Sequence, residues 1–320
     1  MSNEKINKIR LGNFPTRIVY NKKITDKLNI NFFIKNEFEA DAFGSGNKVR
    51  KIEYCLKYFK DHGVTDIIVD GDLQSNYCMA MANYCIPQGY NVHLVLSGEK
   101  SKILGGNRLQ MYLSGAKVYE IGEWNLDKIK KMETKIKEIC EKKGGRVALL
   151  DIDLSNSITL QASIELGKEI YQQEQNLKIK FDYIFVVAGT GETHAGIEIY
   201  KQLNNLKWNV VGVSIANKIN YFNKYHKLIN IFLKDRIDIN KFKIVTSFIG
   251  RGYGRFSQKD INDILSIRRK YGLILDSTYT YKCFKAIQKT FADKKSPSKI
   301  NVLFIHTGGI NQRFLHPYNL

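Results

Sequence analysis

The run Tyr183-Ile184-Phe185-Val186-Val187-Ala188-Gly189-Thr190-Gly191-Glu192-Thr193-His194-Ala195-Gly196 carries the fold in miniature. Six apolar residues read as a strand buried on both faces. A turn with two glycines and two threonines follows, and then a helical pattern. Backbone N–H groups gathered in such a turn, with the dipole of the following helix behind them, make a cradle for an anion, and phosphate is the anion that best suits it. The run lacks a P-loop lysine and completes no dinucleotide fingerprint. A plain structural turn explains the same residues about as well.

Outward from this run, strand-like and helix-like segments alternate, the pattern of an α/β protein with largely parallel sheets. Further strands are expected at Asn31 to Lys35, Asp66 to Asp70, Asn91 to Leu96, Lys117 to Ile121, Arg146 to Ile152, Asn209 to Ile215 and Asn301 to His306. The clearest helix spans Leu126 to Lys142, with Leu126, Ile129, Met132, Ile136 and Ile139 on one face and lysines opposite, closed by Gly144-Gly145. With 320 residues the chain fits one large or two ordinary domains. The α/β units on either side of about residue 155 suggest two open twisted sheets with a ligand cleft between them.

The 50 basic residues outnumber the 31 acidic ones for a formal charge of +19. A polyanion partner would suit that charge, but the lysines are spread along the chain with no basic cluster interleaved with aromatics, and no nucleic-acid partner is expected. No apolar run approaches the roughly 20 residues of a membrane helix, and the polar opening lacks a signal-peptide core, so no membrane association and a cytoplasmic location are expected. The five cysteines, Cys55, Cys78, Cys85, Cys140 and Cys283, are scattered without a CxxC pair. They indicate neither a disulfide framework nor a zinc cage, and no metal site is read from them.

Three further segments offer chemistry. In Gly44-Ser45-Gly46-Asn47-Lys48-Val49-Arg50-Lys51 a lysine stands behind two glycines and ahead of an amphipathic helix. A lysine amine desolvated at a cleft edge can bond to a carbonyl cofactor, although a solvated loop lysine is the commoner case. In Gly71-Asp72-Leu73-Gln74-Ser75-Asn76, Ser75 and Asn76 project from a helix start at a strand's carboxyl end, where open α/β sheets bind ligands; an ordinary N-cap also explains Ser75. Toward the C-terminus, Asp276-Ser277-Thr278-Tyr279-Thr280 and His306-Thr307-Gly308-Gly309 end apolar strands, and Gly250-Arg251-Gly252-Tyr253-Gly254 frames a tyrosine. An amine, an anion cradle, and polar partners for a ring oxygen and a ring nitrogen together match the needs of pyridoxal phosphate.

These segments, in this order, resemble the D-cysteine desulfhydrase and 1-aminocyclopropane-1-carboxylate deaminase family, pyridoxal-phosphate enzymes of fold type II with the tryptophan-synthase-β fold. The resemblance rests on GNKVRKIEY, QSN, GNRLQMYLSGAKVYEIG (Gly106 to Gly122), GTGETHAG, GRGYG, LDSTYT and FIHTGG. It implies a large cofactor-binding domain of residues 1–50 and 160–320, a small domain of residues 51–159, and a homodimer. Lys48 would be the Schiff-base lysine and the base that moves the substrate α-proton, next to Asn47 at the cofactor. Asn76 would meet the phenolic oxygen, and Ser75 the substrate carboxylate or a proton in transit. Ala188, Gly189, Thr190, Gly191, Glu192 and Thr193 would hold the phosphate. Tyr253 and Tyr279 would face ring and substrate, with Thr307 and Thr280 near the pyridine nitrogen.

Departures from the family pattern cluster around the expected substrate. Thr280 stands where cyclopropane deaminases carry glutamate. A hydroxyl stabilises a pyridinium poorly, which favours β-elimination over ring opening. Tyr77, Glu192, Ser277, Tyr281 and the stretch Asp153-Leu154-Ser155-Asn156-Ser157, in place of a GGSN loop, also depart. The expected activity is α-proton abstraction from a small amino acid and loss of its β-substituent, as in D-cysteine desulfhydration to pyruvate, sulfide and ammonia. Ring-opening deamination, β-replacement or racemisation of another amino acid, and a non-catalytic basic binding protein, stand as alternatives.

Overall fold

A computed structural model describes residues 8–99, 104–150, 152–216, 220–232, 236–292 and 300–311. The chain divides into two compact units, one of Met1–Gly12, Asp41–Thr159 and Asn311–Leu320, the other of Asn13–Ala40 and Leu160–Ile310. Residues 8–12 and 41–50, grouped with the larger domain from the sequence, fall in the first unit. No described helix is long and apolar enough to cross a membrane.

The first unit holds a four-stranded, all-parallel sheet. Its strands are β3 (Asp66–Asp72), β4 (Asn91–Ser97), β5 (Lys117–Glu120) and β6 (Val147–Leu149), in the order β5-β4-β3-β6. Helices α2 (Lys48–Asp61), α3 (Asn76–Cys85), α4 (Gly106–Leu113) and α5 (Leu126–Lys142) belong to it. Alternate β3 residues enter different cores: Ile67 and Val69 pack with α2 and α3, Ile68 with α5. A strand covered on both faces is apolar where it is covered, which is why Ile67-Ile68-Val69 of β3 reads as an unbroken hydrophobic run.

The second unit carries a six-stranded sheet of β1 (Ile18–Tyr20), β2 (Asn31–Asn36), β7 (Tyr183–Ala188), β8 (Asn209–Ser214), β9 (Lys243–Val245) and β10 (Asn301–His306). The order is β1-β2-β10-β7-β8-β9, and only β1 runs antiparallel. Along β7, Phe185 and Val187 enter one core cluster while Ile184 and Val186 enter another, so this sheet too is buried on both faces. Its helices include α7 (Glu192–Leu203), α8 (Tyr221–Phe232), α9 (Gln258–Tyr271) and α10 (Thr280–Phe291).

Three expectations need correction. The strand expected at Arg146 to Ile152 is only Val147–Leu149, because β3 offers partners to those three residues alone. Ile152 already opens α6 (Ile152–Leu177), and the stretch from Asp153 to Ser157 is therefore helix rather than loop; its side chains lie outside the described residues. On α5 the buried residues are Ile129, Glu133, Ile136 and Cys140, while Leu126 and Ile139 are exposed. The seam follows i, i+4, i+7, i+11, so residues at the flanks of the apolar stripe turn to solvent. The short edge strands β1 and β9, three residues each, show too little alternation to be read from sequence.

Candidate active site

In the first unit, Gly44 and Gly46 take left-handed φ values of 78° and 63° and deliver Asn47 to the N-cap of α2, with Lys48 as its first residue. Asn47 is buried and Lys48 half-buried. The Ser45 N–H donates to Asp41 Oδ1 at 2.9 Å, which fixes the turn before the lysine. The Ser45 hydroxyl lies 3.9 Å from Met79 Sδ on α3, so the Lys48 turn packs on the helix that Ser75 and Asn76 open.

Ser75 is the N-cap of α3 and accepts from the Cys78 N–H at 3.2 Å, as its bland reading required. Asn76 is more specific. Asn107 Nδ2 donates both to the Gln74 carbonyl at 2.9 Å and to Asn76 Oδ1 at 2.7 Å. A backbone carbonyl only accepts, so the Asn107 contact atom must be its NH2, and Asn76 must answer with its oxygen. The Asn76 Nδ2 is left as a donor without a partner among the described residues, the polarity that a phenolic oxygen requires. Asn107, inside the GNRLQ segment, thus fixes the orientation of the Asn76 amide; its spacing of 31 residues from Asn76 carried no signal.

In the second unit, β7 and β10 are parallel neighbours, so the cradle after Ala188 and Thr307 after His306 leave the same edge of the sheet. Helix α7 begins behind Gly191 at φ 93°, and this N-cap makes no side-chain hydrogen bond. A Cβ at Gly191 would stand 2.8 Å from Tyr225 Cε1, so both conformation and space demand glycine. Behind the turn, the Tyr221 hydroxyl donates to the Ala188 carbonyl at 2.6 Å and contacts Ser214 Oγ at 2.9 Å. Tyr221 engages the chain's own acceptor there, a support that sequence reading missed. Thr190 is exposed, while Glu192 and Thr193 are buried in the first turns of α7. A glycine-walled helix start with a threonine hydroxyl at its mouth fits a phosphate group.

Tyr253 and Tyr279 come together, their hydroxyls 2.7 Å apart and their rings edge to face with centroids 5.9 Å apart. Tyr279 also lies near the cradle: a Cβ on Gly189 would be 3.7 Å from its Cε1. The loop bearing Tyr253 is held by buried Lys282, whose Nζ donates to the Gly252 carbonyl at 2.6 Å and the Ile215 carbonyl at 3.0 Å. Burial pushes the Lys282 amine down to about 8.

The two threonines expected near a ring nitrogen differ. Thr280 is fully buried; its hydroxyl donates to Asp276 Oδ2 at 2.6 Å and accepts from the Asp276 N–H at 2.9 Å. One lone pair of that oxygen remains. Thr307 is half-buried, and its hydroxyl has no partner among the described residues. His306, beside it, is buried, which holds its ring pKa below the ordinary value, and its Nε2–H donates to the Ile274 carbonyl. Two departures expected near the substrate have packing roles. Tyr281 lies in the core cluster with its hydroxyl on Asp263 of α9 at 3.0 Å, and the Tyr77 hydroxyl lies 3.5 Å from Cys55 Sγ. All five cysteines are free and buried.

Residues 9–308 match the family model described as pyridoxal-phosphate dependent enzyme. A Thermotoga maritima protein provisionally named 1-aminocyclopropane-1-carboxylate deaminase is 31% identical over 95% of this chain and 96% of its own length. The mitochondrial bifunctional D-cysteine desulfhydrase/1-aminocyclopropane-1-carboxylate deaminase of Arabidopsis thaliana is 30% identical over 83% of this chain and 69% of its own. The crystal structure of an ACC deaminase homologue superposes with a TM-score of 0.85 at 24% identity, covering 97% of this chain and 94% of that one, a likeness of fold. With the family model matching residues 9–308 and relatives of 31% and 30% identity aligned over 95% and 83% of its length, the chain belongs to the pyridoxal-phosphate-dependent enzymes, in the family of the 1-aminocyclopropane-1-carboxylate deaminases and D-cysteine desulfhydrases.

Proposed function

We propose that this enzyme removes the α-proton of a small amino acid and expels its β-substituent, with D-cysteine as substrate. Water and D-cysteine would yield pyruvate, sulfide and ammonia. One observation carries this choice over ring opening: at position 280 the chain offers a hydroxyl already shared with Asp276, where cyclopropane deaminases offer glutamate. Bound pyridoxal phosphate supplies an electron sink for the bond broken at the α-carbon.

The remaining roles fall to the chain's own groups. Lys48 holds the cofactor covalently and carries the α-proton. The Asn76 NH2, oriented by Asn107, donates to the phenolic oxygen. The turn from Ala188 to Thr193 binds phosphate and the Thr307 hydroxyl serves the ring nitrogen, with Thr280 behind it. The Tyr253–Tyr279 hydroxyl pair is placed to hand a proton to the departing group, and Ser75 meets the substrate carboxylate. Cytoplasmic location and a homodimer belong to the same proposal.

A second reading, ring-opening deamination of 1-aminocyclopropane-1-carboxylate, is favoured by the names of both relatives. Purified enzyme given D- and L-amino acids and the cyclopropane substrate, scored for pyruvate, 2-oxobutyrate, sulfide and ammonia, separates the two. Silence with D-cysteine overturns the first. Lys48→Ala is expected to lose both turnover and the visible absorption of the bound cofactor; retained absorption would remove Lys48 from its role.

A further inference from the structure

At the amino-terminal end of the first unit's sheet, opposite the edge bearing Ser75 and Asn76, three side chains with ligating atoms converge. Asp66 opens β3, His93 is the third residue of β4, and Cys140 lies near the end of α5; their exposures are 7, 4 and 5%. The three ligating atoms lie within 4.8 Å of one another. One atom, His93 Nε2, faces both partners, at 3.3 Å from Asp66 Oδ1 and 3.5 Å from Cys140 Sγ. His93 Nε2–H can donate to Asp66 while the Cys140 thiol bonds to the same carboxylate, so hydrogen bonds alone also close the cluster; it is the spacing of the three ligating atoms that matches a metal. Tetrahedral zinc with bonds of about 2.0 Å to N and O and about 2.3 Å to S sets its ligands about 3.3 Å (N to O) and about 3.5 Å (N to S) apart.

The surroundings are those of a metal site as well. His93 Nδ1 lies 3.3 Å from the Tyr119 hydroxyl, and the two rings stack at an interplanar angle of 11°. Thr65 Oγ1 donates to Asp66 Oδ2 at 2.7 Å. Each contact occupies the ligand's other polar atom and turns the first toward the common point, as outer partners of metal ligands do. We propose that Asp66, His93 and Cys140 bind one zinc-class divalent transition metal, with water in the fourth position. Sulfur and imidazole nitrogen in the set select such a metal over magnesium or calcium. Binding releases the Cys140 thiol proton to solvent and oxidises nothing.

The site ties α5 to β3 and β4. Six residue steps along β3 from Asp66 to Asp72, about 20 Å, separate it from the sheet's carboxyl edge, so the metal takes no part in the reaction. Its effect is on the stability of the first unit.

Cobalt(II) titrated into the cofactor-loaded enzyme tests this, read in the red d–d region away from the cofactor's absorption and by elemental analysis after gel filtration. Wild type is expected to retain one equivalent per chain with the intense d–d bands of a tetrahedral thiolate site, and zinc is expected to displace cobalt and raise the melting temperature. Cys140→Ser should lose those bands while keeping its cofactor absorption. If that variant fails to fold, Asp66→Asn should keep the sulfur signature and weaken metal retention at least tenfold. Wild type that retains no metal would show a purely hydrogen-bonded cluster, and bands that survive in Cys140→Ser would place the cobalt on another thiol; either result overturns the proposal.

Discussion

Helices α7 and α10 both begin at polar turns in the second unit, yet their N-termini are satisfied in opposite ways. At α10 the chain supplies its own anion: the buried Asp276 carboxylate accepts from the Thr278, Tyr279 and Thr280 N–H groups at 2.9, 2.6 and 3.0 Å. The Thr280 hydroxyl adds a fourth bond at 2.6 Å. At α7 the N-cap is Gly191, which has no side chain to offer and stands against the Tyr225 ring. Positive potential at a helix start draws an anion in either case. One turn is closed by its own side chain and serves as a base for Tyr279; at the other the N-cap offers no side chain, and under the proposed function the cofactor phosphate would supply the anion.

The largest way to break this contrast is Asp276→Ala, which leaves buried donors at the start of α10 without an acceptor. A loss of about 3–5 kcal/mol in unfolding free energy is expected from denaturant titration, with Asp276→Asn losing less because it keeps an acceptor oxygen. A loss as small as that of a surface substitution would mean that the carboxylate does not hold the turn.

The α7 side has an acid-sensitive element of its own. His194, in the first turn, is buried with its Nδ1 2.7 Å from the Tyr225 hydroxyl, and burial pushes its pKa down from 6.5 to about 4. The folded state therefore binds fewer protons than the unfolded state between these two values. Stability is complete above pH 6.5 and falls as the pH drops toward 4, by about 3 kcal/mol over the interval at 1.36 kcal/mol per pH unit. Urea midpoints measured across that range should show the slope in wild type and a flatter one in His194→Gln. Equal slopes would assign the acid lability elsewhere.

Gly191→Ala places a methyl group against Tyr225 at a positive φ, and should cost about 1–2 kcal/mol of stability. Its effect on the cofactor should be larger than that of any substitution at α10 that leaves the fold intact, with the dissociation constant raised about tenfold or more in a fluorescence titration. Smallest is Thr190→Asp, which adds a carboxylate in the turn before α7 to that of Glu192. The cofactor-free protein should gain about 0.3–1 kcal/mol while cofactor affinity falls. Unchanged affinity would show that the phosphate does not sit at this helix.

Much of the fold was readable because strand and helix periodicities are local. The strand Tyr183–Ala188 and the helix Leu126–Lys142 were both expected at the limits they take. The strand, glycine turn and helix start around Gly189 were legible for the same reason, being consecutive in the chain. Hydrogen-bond partners were not legible. Ser75 reads in sequence as cap and as donor, and only the fold shows that its oxygen accepts from Cys78 N–H, which leaves its proton for the donor role. Thr280 read as an available hydroxyl until Asp276, four residues back, took both its proton and a lone pair. Tyr281 read as a pocket residue, and the packing of α10 against α9 makes it core.

By itself the sequence determined the α/β class, the positions of most strands, the glycine turns and the residue types of a pyridoxal-phosphate enzyme, since each depends on neighbours along the chain. Tertiary structure alone decided which end of the Asn76 amide Asn107 occupies, and that Asp276 closes the start of α10. It also gathered Asp66, His93 and Cys140 from positions 27 and 47 residues apart. The physical reason is the same throughout: a polar atom's role is set by the partner that packing brings within about 3 Å, and packing joins residues without regard to their separation in sequence.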